Sequence, residues 1–106
     1  MEYMANIYTI NEIKEKLTLI FESEPVYKAV LFGSYAKGKA TEKSDIDIMV
    51  DSRGKLVNMN FYGVLYEISE SLGKKIDLFE ITEIRKNSQL FNEINNKGVV
   101  LYERKR

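Results

Sequence analysis

The stretch at residues 31–51 decides the fold and reads LFGSYAKGKATEKSDIDIMVD. An apolar run ends at Gly33-Ser34, which predicts a strand that leads directly into a short helical turn. Residues 45–51 alternate between acidic and aliphatic side chains, so the aliphatic ones share one face of a second strand. Two strands joined through a lysine-rich loop are therefore expected here.

The turn between these strands has the features of a phosphate site. Gly33 lets a phosphate approach the backbone closely, and the Ser34 hydroxyl supplies one more donor. The loop that follows contains Lys37, Lys39 and Lys43 against one glutamate, a composition that suits a polyphosphate. A plain turn followed by a solvated loop would give the same local pattern.

Asp45 and Asp47 lie two residues apart on the second strand, which places their Cα atoms roughly 6.6 Å apart on one face. Carboxylates in this arrangement suit Mg²⁺, which prefers oxygen ligands and substrate phosphates. Asp77 lies in another short apolar strand and would complete the cluster, or accept a proton, if the two strands are neighbours. The alternatives are a solvated strand face and an Asp77 that pairs with Lys74 or Lys75.

The rest of the chain predicts a single domain over residues 1–106, of the α+β (α/β) class. A small mixed sheet of about four strands with helices packed on it fits the order of the predicted elements. These elements are a helix capped by Thr9 and Glu12 that stops before Pro25, a strand at 26–32, a helix at 61–72 closed by Gly73, a strand at 76–81, a helix at 84–94 closed by Gly98, and a strand at 99–103.

Composition excludes several kinds of chemistry. The chain has 106 residues, 16 basic and 16 acidic side chains, no histidine and no cysteine. Disulfides, thiolate nucleophiles, His or Cys metal cages and Ser-His-Asp hydrolysis are therefore ruled out. Zero net charge argues against stable binding of nucleic acid.

The sequence contains no long apolar run and no signal peptide, so we expect a cytoplasmic protein that does not enter membranes. We also expect a frayed, solvated end at residues 104–106.

The spacing of these residues resembles a known signature. The pattern is similar to the motif of the DNA polymerase β-like nucleotidyltransferases. It consists of Gly33-Ser34, ten further residues and then Asp45-Ile46-Asp47. The short length, the serine before the first aspartate, the KKIDL strand at 74–78 and the GVVLYE ending at 98–103 resemble the minimal nucleotidyltransferase (MNT) group. One departure is that many relatives have arginine at the position of Tyr35 or of Lys37.

The resemblance implies a nucleotidyltransferase fold and an Mg²⁺-dependent reaction that uses ATP. Asp45 and Asp47 would coordinate two Mg²⁺ ions, and Asp77 would be the third metal-binding and catalytic carboxylate and the base. The residues implied for the nucleotide site are Gly33, Ser34, Lys37, Lys43 and Ser44. An acceptor hydroxyl would attack the α-phosphate in line, and pyrophosphate would leave.

The resemblance also implies a partner, because similar proteins are paired with a HEPN-domain RNase toxin. The chain would act as the antitoxin by transferring AMP to a tyrosine of that toxin, within a hetero-oligomer. Three alternatives remain at this point: a binding module that neutralises its partner by contact, a nucleotidyltransferase that acts on a small molecule or RNA, and a metal-dependent nuclease. The nuclease alternative leaves Gly33-Ser34 unexplained.

Overall fold

Helices and strands alternate along residues 6–105, which are the residues that the computed structural model describes. In chain order, the elements are α1 (Ile10–Ser23), β1 (Lys28–Phe32), α2 (Gly33–Ala36), β2 (Ile46–Asp51), α3 (Asn58–Leu72), β3 (Ile76–Glu80), a 3₁₀ turn (Ile81–Glu83), α4 (Gln89–Lys97) and β4 (Val99–Glu103). No helix within the described part of the chain is both long enough and apolar enough to cross a bilayer.

The strands form one mixed sheet in the order β3-β2-β1-β4. β1 is antiparallel to both β2 and β4, whereas β2 and β3 run parallel and are joined by α3. The sheet and its helices confirm the predicted α+β class. The register aligns Phe32, Asp47 and Asp77 across three adjacent strands. Two carboxylates that are 30 positions apart in sequence are thereby neighbours.

Each face of the sheet is covered by a different set of helices. α1 and α3 pack on the face that contains Ile46, Ile48 and Val50, all of which are fully buried. α4 and the 3₁₀ turn pack on the opposite face, where Met49 is buried in a second, smaller cluster. Asp47 shares the face of Met49, because side chains two apart on a strand point the same way. The catalytic candidates therefore lie on the α4 side of the sheet.

The helix boundaries agree with the sequence at most ends. Thr9 and Glu12 form the predicted capping box, and Gly73 ends α3 in the left-handed conformation at φ 62°. The fourth helix, however, begins at Gln89 rather than near residue 84. Ser88 caps it by accepting a hydrogen bond from the amide of Phe91, and Ile84 lies outside it in the second cluster. The apolar spacing alone did not reveal this cap.

Arg104 corrects the expectation of a frayed, solvated end. Its guanidinium donates to the carbonyl oxygens of Phe21 at 3.0 Å, Glu24 at 2.9 Å and Val26 at 3.2 Å. The final carbonyls of a helix have no donor within the helix, and α1 has no basic residue in its last turn. Arg104 supplies these missing donors from the far end of the sequence.

We expect Arg104→Ala to lower the free energy of unfolding by about 2 kcal/mol, because several carbonyls lose a charged donor at once. Urea denaturation followed by circular dichroism measures the change. Lys105→Ala is the matched control, since Lys105 is exposed. Equal midpoints for the two variants would contradict the assigned role of Arg104.

Candidate active site

The turn between β1 and α2 lies directly against the side chain of Asp47. Gly33 has a φ of 75°, and a Cβ built at this position would lie 3.1 Å from Cγ of Asp47 and closer still to its Oδ2. Only glycine fits this approach without displacing the carboxylate. Ser34 follows, half-buried, and its carbonyl accepts a hydrogen bond of 2.9 Å from the amide of Lys39. The predicted phosphate turn and the predicted metal ligand are thus in contact.

Asp47 and Asp77 form a pair across β2 and β3. The pKa of Asp47 is raised to about 6, first by burial and then by the charge of Asp77 and a hydrogen bond to it. The charges of Asp45 and Glu93 raise the same pKa further. Like charges that are held together in this way favour a proton or a cation between them. The sequence predicted that Asp77 would join this cluster if its strand were a neighbour of β2, and β3 does pair with β2, with Asp77 opposite Asp47.

Asp45 lies just before β2 and points towards a lysine. Its Oδ2 is 3.6 Å from the Nζ of Lys75, and both side chains are partly exposed. Lys75, which was considered as a partner for Asp77, thus pairs with Asp45. Within residues 6–105, no three acidic side chains are arranged as a finished metal site. Binding of an ion by all three aspartates requires Asp45 to leave Lys75.

The donor set nevertheless suits a divalent cation. The available ligands are carboxylate oxygens, which Mg²⁺ prefers. Burial first and the charge of Asp77 second raise the pKa of Asp47, and a bound cation would offset both effects on its charged form. Substrate phosphates commonly complete such a site, because Mg²⁺ is rarely held by protein ligands alone. The residues present therefore fit Mg²⁺ together with a nucleotide.

The loop between α2 and β2 is held by two internal anchors. The Ser44 hydroxyl accepts a hydrogen bond of 2.8 Å from the amide of Thr41, so this predicted nucleotide ligand also closes a turn. Lys74 is 2% exposed, and its Nζ donates to the carbonyl oxygen of Glu42 at 3.2 Å. Lys43 extends from this turn into solvent. The contacts of Ser44 and Lys74 thus fix the backbone of the loop directly before Asp45.

Glu93 on α4 was not found by sequence reasoning. Its Oε2 lies 3.3 Å from the Nζ of Lys37, a residue predicted to bind the nucleotide. A groove of about 200 Å³ begins at this ion pair and follows the polar face of α4. Its lining residues are Lys37, Gln89, Asn92, Glu93, Asn96 and Lys97. No local motif marks Glu93, because only the packing of α4 on the sheet brings it near Asp47.

Tyr35, which follows the turn and is arginine in many relatives, does not face the site. The residue is 4% exposed and belongs to the core on the α1 and α3 side. Burial raises the pKa of its hydroxyl. Of the two positions where this chain departs from the signature, only Lys37 therefore stands beside the carboxylates.

Comparison with known proteins gives a consistent result. Residues 15–106 match the family model described as polymerase beta nucleotidyltransferase. A protein of Methanocaldococcus jannaschii, named as a protein adenylyltransferase, is 41% identical over 76 residues, which covers 71% of this chain and 81% of that protein.

Solved structures share the fold at lower identity. A crystal structure of a toxin–antitoxin with AMP-PNP aligns with a TM-score of 0.74 and 22% identity, over 86% of this chain and 73% of that one. A Shewanella oneidensis structure is described as a tri-AMPylated HEPN toxin in complex with an MNT antitoxin. It aligns with a TM-score of 0.69 and 19% identity, over 91% of this chain and 74% of that one.

Proposed function

Since the chain belongs to the polymerase β nucleotidyltransferase family, we propose that it is an Mg²⁺-dependent protein adenylyltransferase that transfers AMP from ATP to a hydroxyl group of a partner protein. One observation supports this above all others. The Gly33 turn touches the carboxylate of Asp47, which in turn pairs with Asp77. Triphosphate and metal would therefore meet at one point of the fold.

Each residue has a distinct task in this proposal. The backbone at Gly33 and the Ser34 hydroxyl hold the triphosphate, with Lys37, Lys43 and Ser44 on the adjoining loop. Asp45 and Asp47 would hold Mg²⁺, which when bound would supply positive charge against the charge that develops on the phosphate oxygens. Asp77 receives the proton of the attacking hydroxyl. The acceptor oxygen then bonds to the α-phosphorus while the bond to pyrophosphate breaks.

We propose a HEPN-domain toxin as the partner and a tyrosine as its acceptor. Curated relatives are named as protein adenylyltransferases, and the similar folds include an MNT antitoxin in complex with an AMPylated HEPN toxin. The groove along α4 has Lys37 and Glu93 in its lining, and the charge of Glu93 acts on Asp47. The groove gives an extended acceptor segment a route to the site.

The decisive experiment incubates the chain with α-labelled ATP, Mg²⁺ and a cognate HEPN-domain protein. We expect label on a tyrosine of the partner, and none when Asp45→Asn or Asp47→Asn replaces the intact chain. Asp51→Asn is the matched control, because Asp51 lies on the same strand and its Oδ1 accepts from the amide of Arg53 at 3.0 Å, outside the site. This variant should label the partner at the normal rate.

Other outcomes would identify other functions. A partner that is neutralised without label, and neutralised equally by Asp45→Asn, would make the chain a binding module and overturn the proposal. Label on RNA or on a small molecule would keep the transferase and exclude the protein acceptor. Degradation of nucleic acid by the chain alone would indicate a nuclease.

A further inference from the structure

Three cationic side chains surround Tyr27, which precedes β1. The Arg53 guanidinium lies 4.0 Å from the ring centroid, and the Lys55 ammonium lies 5.2 Å from it. The Arg104 guanidinium is 5.5 Å away. The Nζ of Lys55 also donates a hydrogen bond of 2.8 Å to the Tyr27 hydroxyl. We call this arrangement the Tyr27 cluster.

Within residues 6–105, no cationic side chain of the Tyr27 cluster forms an ion pair with a carboxylate, although the Asp51 side chain accepts a hydrogen bond of 3.0 Å from the backbone amide of Arg53. The two ion pairs found within residues 6–105, Lys37 with Glu93 and Lys75 with Asp45, both lie beside the active site. The hydrogen bond from Lys55 lowers the pKa of the Tyr27 hydroxyl; burial opposes this effect, and the charges of Lys55, Arg53 and Arg104 add to it. The cluster therefore favours negative charge on the phenol oxygen. It would also favour a phosphate group attached there.

Tyr27 is half-buried, and the two exposed tyrosines of α3 lack its cationic environment. Tyr62 and Tyr66 are 64% and 63% exposed on α3, a helix whose charged residues are Glu67 and Glu70. Acidic neighbours oppose both a phenolate and a phosphodiester. Exposure alone would favour these two as acceptors, whereas charge favours Tyr27. Activation of a hydroxyl nucleophile depends on such stabilisation of its anion.

Tyr27 and the active site lie at opposite ends of the sheet. β1 separates Tyr27 from Gly33, a span of about 20 Å at the usual rise per strand residue. A chain therefore cannot present Tyr27 to its own site. Two copies can do so head to tail, because Asp47 and Asp77, which form no ion pair within the described residues, complement the cationic Tyr27 cluster of the other copy. Asp45 and Glu93 at the same end are already paired with Lys75 and Lys37.

We propose that Tyr27 is a modification site of this chain, to which a second copy of the chain transfers AMP. The inference rests on the proposed function and extends its substrates to the enzyme itself. The Tyr27 oxygen bonds to the α-phosphorus of ATP, the bond from that phosphorus to the bridging oxygen breaks, and pyrophosphate leaves. The phenol proton passes to Asp77 of the second copy. The Tyr27 cluster then neutralises the new phosphodiester.

Two measurements test the proposal on the full chain. After incubation with ATP and Mg²⁺ alone, peptide mass spectrometry should locate AMP on Tyr27. Tyr27→Phe should lower self-labelling at least about tenfold and leave labelling of the HEPN partner unchanged, since Tyr27 is remote from the site. Tyr62→Phe, the matched control, should self-label normally. Lys55→Met retains Tyr27 but removes its donor, and should slow self-labelling about tenfold.

A mixture of two variants separates transfer within a chain from transfer between chains. Asp47→Asn has no activity but keeps Tyr27, and an active Tyr27→Phe chain, distinguished by a tag, lacks the acceptor. Label should appear on the Asp47→Asn chain only. If the HEPN partner is labelled but neither variant of this chain is, the proposed self-modification is wrong and the proposed function stands. AMP on another tyrosine of the chain would also overturn the proposal, and absence of label on both proteins would overturn the two together.

Discussion

Replacing Asp47 with asparagine is expected to abolish AMP transfer and to stabilise the nucleotide-free chain at neutral pH. The loss should be at least about a thousandfold, since metal-ion catalysis supplies several kcal/mol. The gain in stability arises because Asp47 is ionised beside Asp77, Asp45 and Glu93 in a half-buried position. Asparagine removes that repulsion and can still form a hydrogen bond with Asp77. Function and stability therefore change in opposite directions.

The effect on stability depends on pH in a defined direction. The folded chain holds a proton on Asp47 up to a pKa of about 6, whereas the usual value is 3.8. Above pH 6, ionised Asp47 lowers the free energy of unfolding. This penalty disappears as the pH falls through the window between 6 and 3.8. We expect Asp47→Asn to gain about 1–2 kcal/mol at pH 7.5, allowing for solvent screening, and close to nothing at pH 4.

Thermal unfolding without nucleotide at these two pH values measures the gain. Asp51→Asn serves again as control and should show no comparable rise at pH 7.5. Added Mg²⁺ should raise the melting temperature of the intact chain and have less effect on Asp47→Asn, because binding to the folded state stabilises it. If Asp47→Asn were less stable than the intact chain at pH 7.5, the assigned repulsion would be wrong.

Gly33→Ala is expected to destroy both the geometry of the site and part of the stability. The new Cβ would collide with the Asp47 carboxylate, and the residue would keep a left-handed φ of 75°. The collision should cost about 1–3 kcal/mol and the backbone about 1 kcal/mol more. Transfer should fall at least about a hundredfold, because displacement of reacting groups by 1 Å has effects of that size.

Gly38→Ala separates these two costs. Gly38 has a nearly identical φ of 72°, but a Cβ there would meet nothing within 4 Å. Gly38→Ala should therefore lose only the backbone term and retain transfer. Urea denaturation and the transfer rate are measured for both variants. If the two variants behaved alike, the contact between Gly33 and Asp47 would have no functional importance.

The sequence predicted the parts of the site that local patterns encode. Alternation of side chains placed Asp47 opposite the aliphatic face, and the depletion of aspartate in strands drew attention to Asp77. The pairing of Asp47 with Asp77 was conditional on two strands being neighbours. That depends on the whole topology, which one short motif does not specify.

Contacts between residues that are far apart in sequence were not predicted, for the same reason. Glu93 approaches Asp47 only because α4 packs on the sheet, and Arg104 reaches the end of α1 only because β4 pairs with β1. Lys75, which with Lys74 was one alternative partner for Asp77, pairs with Asp45. Glutamate, arginine and lysine are common residue types at the protein surface, so nothing in the linear pattern distinguishes these three.

The arrangement of the site depends on the correct parallel register of β2 and β3. Side chains alternate along a strand, so a slip of β3 by one residue would turn Asp77 towards α3 and bring Ile76 or Leu78 to the place of the carboxylate. Such a misregistered chain could bury nearly the same surface and still have no base. Transfer activity therefore reports on strand alignment more sensitively than a melting curve does, and it distinguishes correctly folded molecules from near-native ones.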